Sequence, residues 1–220
     1  MHKSLSHFFC HASSFPSREM DIWEANSISQ AMTTHTCSTK GLYKCEGADC
    51  GDIETDERYD GVCDKDGCDL APYRSGNTNF FGAGSDFSVD SSKKMTVVTQ
   101  FITEDGTDDG DLKEIRRLFV QDGKVIDTPN ATYNGESYNS ITDDFCTAQK
   151  KVFNETNDNL AKGGIKGMGE AMDRGMVLIM VNNLTLIIFF SPHDGISCHV
   201  PLKQMLSMSN FKFTTILKIT

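Results

Sequence analysis

The 220-residue sequence predicts an all-β protein, two sheets packed as a sandwich with short helices in its loops. Three observations carry that expectation. Residues 19–22 alternate polar and apolar side chains, the period of a strand with one wet and one dry face. Residues 95–103 are a run rich in β-branched and aromatic side chains. Asp122-Gly123 divides 116–120 from 124–127 as a two-residue turn divides the strands of a hairpin.

The helical segments announce themselves differently. Residues 142–153 read as a helix with Thr142 or Asp143 as its cap, and residues 159–163 read as a break. Ile165, Met168, Ala171 and Met172 recur at helical spacing, Gly175 ends that helix, and residues 175–180 read as the next strand. Length gives a prior of one domain, with enough chain for a core. A net charge of −10 argues against nucleic acid and anionic membrane surfaces as partners. Eight cysteines without a C-x-x-C pair point to disulfides in an oxidising compartment rather than to zinc.

Residues 19–27, Glu19-Met20-Asp21-Ile22-Trp23-Glu24-Ala25-Asn26-Ser27, place three carboxylates within six residues. On a regular strand Glu19 and Asp21 share a face and Met20 and Ile22 point into a core. Glu24 lies an odd step from Glu19, so it faces the other side unless the strand bulges near Trp23. Crowded carboxylates suit glycoside hydrolysis, in which one attacks and one protonates the leaving oxygen. An isolated E-x-D-x-x-E is commonly no more than a solvated strand edge. The longer string separates the two readings, because it resembles the catalytic strand of glycoside hydrolase family 7, the fungal-type cellulases.

The resemblance runs from Glu19 to about Met180. It implies a concanavalin A-like, jelly-roll sandwich whose concave sheet forms a cellulose cleft. It implies Glu19 as nucleophile, Asp21 as its hydrogen-bonding assistant and Glu24 as acid/base, acting on β-1,4-glucan with retention. His35, Arg58, Asp66, Asp69 and Arg74 match positions that line the cleft; sugar hydroxyls accept from guanidinium forks and donate to carboxylates. The surface alternative for Arg58 and Arg74 is pairing with neighbouring acids. Trp23 and the cysteine-bearing insert after Cys45 look more like cellobiohydrolases than endoglucanases. The resemblance also implies the disulfides Cys37–Cys63, Cys45–Cys50 and Cys68–Cys146, an extracellular setting, cellulose or β-1,4-glucan oligosaccharides as partners, and no metal or organic cofactor. Glycosylation sequons stand at Asn130, Asn154 and Asn183.

Both ends differ from the middle. No acidic residue precedes Glu19 and only Asp194 follows Met180. Residues 1–18 hold His7 and His11 at a metal-ligand spacing without further ligands, and their apolar run is short for a signal peptide. The expected division is therefore 1–18 as non-family sequence, 19–180 as a partial catalytic domain and 181–220 as a divergent tail, with Cys10 and Cys198 unpaired or without a dependable partner. The family's long N-terminal half has no counterpart before Glu19. The chain by itself is expected to lack turnover, and a completed protein to be monomeric. The alternative function is a catalytically silent carbohydrate-binding or structural sandwich fragment.

Overall fold

The computed structural model describes residues 18–41, 43–51, 59–181 and 185–190, with backbone alone for Cys50 and 177–190. The elements in chain order are β1 (Glu19–Ala25), β2 (Gln30–His35), a 3-10 turn (Gly47–Cys50), β3 (Cys68–Leu70), β4 (Phe81–Gly82), β5 (Val89–Asp90) and β6 (Thr96–Thr103). They continue with β7 (Leu112–Gln121), β8 (Lys124–Asp127), β9 (Ala131–Tyr133), β10 (Glu136–Tyr138) and β11 (Ser140–Ile141). Helices α1 (Asp143–Phe153), α2 (Asp158–Ala161) and α3 (Gly164–Asp173) precede β12 (Val177–Val181) and β13 (Thr185–Phe190).

Two sheets dominate. The first has the order β12-β13-β1-β2-β3; the second has the order β11-β7-β6, with β8 on β7. This is the sandwich expected of the alternating segments. The Asp122-Gly123 turn joins β7 to β8 with both residues at positive φ, 51° and 73°, the conformation that matches the twist of a tight hairpin. The strand before that turn begins at Leu112, four residues earlier than the sequence pattern suggested. The core lies between the sheets and under the helices: Met20, Ile22 and Trp23 from β1 meet Ile115 and Phe119 from β7, with Phe145, Ile165 and Met168 closing one side. Each such buried side chain contributes about 1.5–3 kcal/mol of transfer free energy.

Three local expectations change. Residues 30–35, to which the sequence pattern assigns no element, form β2, because β1 offers a ladder and Met32, Thr33 and Thr34 bury against it. Residues 159–163 are not a plain break: Asn157 accepts from Leu160 N and starts the four-residue α2 before Gly163 stops it at φ 124°. Residues 185–190, beyond the span of the resemblance, form a strand that pairs with β1 on one side and β12 on the other. The cap of α1 is as read, with Thr142 accepting from Phe145 N at 3.1 Å.

Candidate active site

The bulge in β1 is the feature that assembles the site. Against β2, Asp21 pairs with Thr33 and Glu24 with Ala31, so three steps on β1 face two on β2. Against β13, Asp21 pairs with Ile188 and Trp23 with Ile187, again one residue in excess. The extra residue turns Ile22 and Trp23 both inward, 7% and 1% exposed, and returns Glu24 to the face of Glu19 and Asp21. The charge of Asp21 is close enough to raise the cost of ionising Glu24, as a shared face requires.

The neighbouring strands complete that face. Glu19 lies opposite His35 on β2, and Asp21 opposite Thr33, which in turn lies opposite Asp69 on β3. His35 Nε2 donates to Asp21 Oδ2 at 3.1 Å, and Nδ1 donates to the Asp64 carbonyl at 3.0 Å. With an acceptor at each nitrogen the ring is satisfied only as imidazolium. Burial alone would lower its pKa; the Asp21 hydrogen bond and the charges of Asp21 and Glu19 outweigh it and lift the value to about 9. Thr33 Oγ1 donates to Glu24 Oε2 at 2.6 Å.

The acids respond to the crowding. Burial first, then the charge and hydrogen bond of Asp21, push Glu19 up to about 7. Glu24 is also raised, by burial first, with the Thr33 hydrogen bond opposing. Glu19 thus holds its proton beyond the ordinary carboxylate range. Asp21 itself is 5% exposed, and its Oδ1 has no hydrogen-bond partner.

A loop crosses this face closely. Asp66 N and Gly67 N donate to Asp64 Oδ1 at 3.1 and 2.9 Å, forming an Asx turn that aims the Asp64 carbonyl at His35. Gly67 has φ 73°, and a Cβ there would stand 2.4 Å from Thr33 Cγ2 and 2.7 Å from His35 Cε1. Only glycine permits that approach. Two disulfides hold the loop: Cys37–Cys63, whose partners also form a β-bridge and sit 4.0 Å apart at Cα, and Cys68–Cys146, 5.6 Å apart. The first separation is below the usual 4.4 Å minimum, as the bridge pairing brings the two backbones together. Cys45 is disulfide-bonded, while the side chain of Cys50 lies outside the described residues, as do Cys10 and Cys198.

A family model for glycosyl hydrolase family 7 matches residues 12–183. The chain belongs to glycosyl hydrolase family 7. A family 7 cellobiohydrolase from Daphnia pulex is 46% identical, with a TM-score of 0.71, over 80% of this chain and 38% of that one. The Humicola insolens endocellulase EGI is 37% identical, with a TM-score of 0.62, over 80% of this chain and 39% of that one. A cellobiohydrolase from Melanocarpus albomyces, solved with cellotetraose, is 29% identical, with a TM-score of 0.59, over 80% of this chain and 37% of that one. The chain therefore spans well under half the length of these relatives, and both cellobiohydrolases and endoglucanases are among them. The disulfides fit the extracellular setting typical of family 7 cellulases.

Further from the bulge, the family 7 chain carries a second charged cluster. Arg74 Nη1 donates to Asp69 Oδ1 and Nη2 to Glu155 Oε1, and the guanidinium lies 4.2 Å from the Phe153 ring centroid. Lys150 Nζ meets Glu155 Oε2 at 2.9 Å, and Gln149 Nε2 donates to the Asp69 carbonyl at 2.6 Å. Asp69 is raised by burial, with Arg74 and Lys150 opposing; Asp69 also adds its charge to the field at Glu24. The pairing of Arg74 with neighbouring acids, the alternative to a role in lining the cleft, is thus present, and it fixes the fork between Asp69 and Glu155. Arg58 lies outside the described residues. Sequence reading missed Thr33, Asp64, Phe153 and Glu155. Thr33 alone had a local signal, since it sits two residues from His35 on the same strand face.

Proposed function

We propose that the protein is a cellulose-degrading glycoside hydrolase of cellobiohydrolase type that cleaves β-1,4-glucosidic bonds with retention. Glu19 attacks the anomeric carbon and forms a glycosyl-enzyme. Glu24 protonates the departing oxygen and then takes a proton from the water that releases the sugar. Asp21 assists Glu19, which attacks in its ionised form. The His35 imidazolium holds Asp21 and favours ionisation of Glu19. Asp66, Asp69 and Arg74, with Arg58, bind glucosyl units on the product side, and His35 lines the cleft near the acid/base. The protein acts outside the cell.

The observation that supports this reading is the bulge of β1, which gathers Glu19, Asp21 and Glu24 on one face beneath His35 and Thr33. The test is proton NMR of the first sugar formed by the complete native protein from cellooligosaccharide. The β-anomer is expected first; initial release of the α-anomer would overturn Glu19 as nucleophile. The exo-acting assignment is sharpened by the soluble product, with cellobiose expected to dominate from the earliest times.

A further inference from the structure

Arg117 is the one guanidinium in the middle of the described core. It stands on β7, 1% exposed, between the sheets. No acid pairs with it among the described residues, Nη1 has no hydrogen-bond partner, and burial alone lowers its pKa to about 9. A cation without a counter-ion is a costly core residue, and an apolar side chain of the same volume would fill the space without that cost. What the guanidinium does touch is specific. Nη2 donates to the carbonyl of Ile22, Nε donates to Thr99 Oγ1 at 3.2 Å, and the plane lies 5.5 Å from the Trp23 ring centroid.

Ile22 is the residue that the bulge takes out of register with both neighbouring strands. Its carbonyl faces the dry interior and needs a donor that neither β2 nor β13 supplies in register. Trp23, the next residue, is wedged edge-on against Phe81 and Phe119 at 5.7 and 6.0 Å. The bulge is therefore held from the opposite sheet, by one fork on its carbonyl and by rings around its tryptophan.

We propose that Arg117 is a positioning residue for Glu24: by capturing the Ile22 carbonyl and packing on Trp23, it maintains the bulge that aims Glu24 at the scissile oxygen. The inference rests on the reading of Glu24 as acid/base. It places no charge of Arg117 on the reacting atoms; the effect passes through two residues of backbone. A displacement of about 1 Å in a catalytic group is enough to cost about 100-fold in rate.

The experiment compares Arg117→Met, Arg117→Lys, Thr99→Val and Glu24→Gln in the complete native protein, on one aryl cellobioside with a good leaving group and one with a poor one. In the first step, formation of the glycosyl-enzyme, protonation matters chiefly for the poor leaving group. Arg117→Met is expected to lose about 100-fold in kcat/KM, which reports formation of the glycosyl-enzyme, on the poor substrate and less than about 5-fold on the good one. Arg117→Lys keeps a donor but cannot serve Ile22 and Thr99 together, so a smaller loss of the same selectivity is expected. Thr99→Val leaves the Ile22 contact and is expected to show none. Equal losses of kcat/KM on both substrates in folded Arg117→Met would overturn the proposal; should that variant not fold, equal losses of kcat/KM in Arg117→Lys decide the same way. If Glu24→Gln itself shows no leaving-group dependence, the acid/base reading fails. The positioning claim is then judged by carboxyl 13C titration of Glu24, which faces Glu19, Asp21, His35, Asp69 and Thr33. Arg117→Met is expected to move that titration from its wild-type position and Thr99→Val to leave it; an unmoved titration overturns the claim.

Discussion

The two charged clusters of this protein differ in their balance. On the bulged strand, Glu19, Asp21 and Glu24 share one cation, His35. At the end of α1, Asp69 and Glu155 share two, Arg74 and Lys150. The first cluster is over-acid and holds protons that free carboxylates would have lost. The second is neutral, its groups locked in mutual pairs. An excess of one sign in a half-buried site leaves protons poised for chemistry, whereas matched pairs hold a surface in shape. Asp69 joins the two, paired to Arg74 yet felt at Glu24.

The strongest way to break this contrast is Glu19→Gln. It is expected to remove turnover by at least about 1,000-fold. At pH 7 it should also raise the unfolding free energy by about 1 kcal/mol, because the repulsion with Asp21 is gone. Rate measurements with denaturant unfolding on the same preparation check both. Arg74→Met should behave in the opposite way, costing about 1–3 kcal/mol by leaving Asp69 and Glu155 with Lys150 alone, with a far smaller loss of kcat. A variant that matched Glu19→Gln in both respects would dissolve the distinction between the clusters.

Dependence on pH sharpens the comparison. Glu19 is raised from 4.5 to about 7, so the folded state holds its proton more tightly than the unfolded chain. Its contribution to stability is present below pH 4.5 and is lost as pH rises towards 7. His35, raised from 6.5 to about 9, contributes below pH 6.5, and that contribution is lost as pH rises towards 9. Urea midpoints should therefore fall between pH 4.5 and 9, by an amount worth a few kcal/mol. The fall should flatten in the Glu19→Gln, His35→Gln double variant. The smallest expected effect is that of Thr33→Val. It removes the hydrogen bond that opposes the rise of Glu24, and the basic limb of kcat/KM should move to higher pH.

Local patterns in the sequence determined a good deal of this. Alternation at residues 19–22 marks β1, the β-branched run marks β6, Asp122-Gly123 marks a hairpin turn, and Thr142 caps α1. Each rests on interactions within a few residues, which a linear reading captures. The nine-residue string around Trp23 named the three acids, and the expectation of a bend near Trp23 followed from an odd count of residues. Tertiary structure alone decided the rest. That the bend is a one-residue bulge depends on the registers of β2 and β13, set by hydrogen bonds to strands that are remote in the chain. The charge on His35 depends on an acceptor 29 residues away at Asp64, the fork of Arg74 on Glu155, 81 residues distant, and the Ile22 carbonyl on Arg117, 95 residues distant. No propensity or period encodes such contacts, because they exist only once two sheets and a crossing loop have packed together.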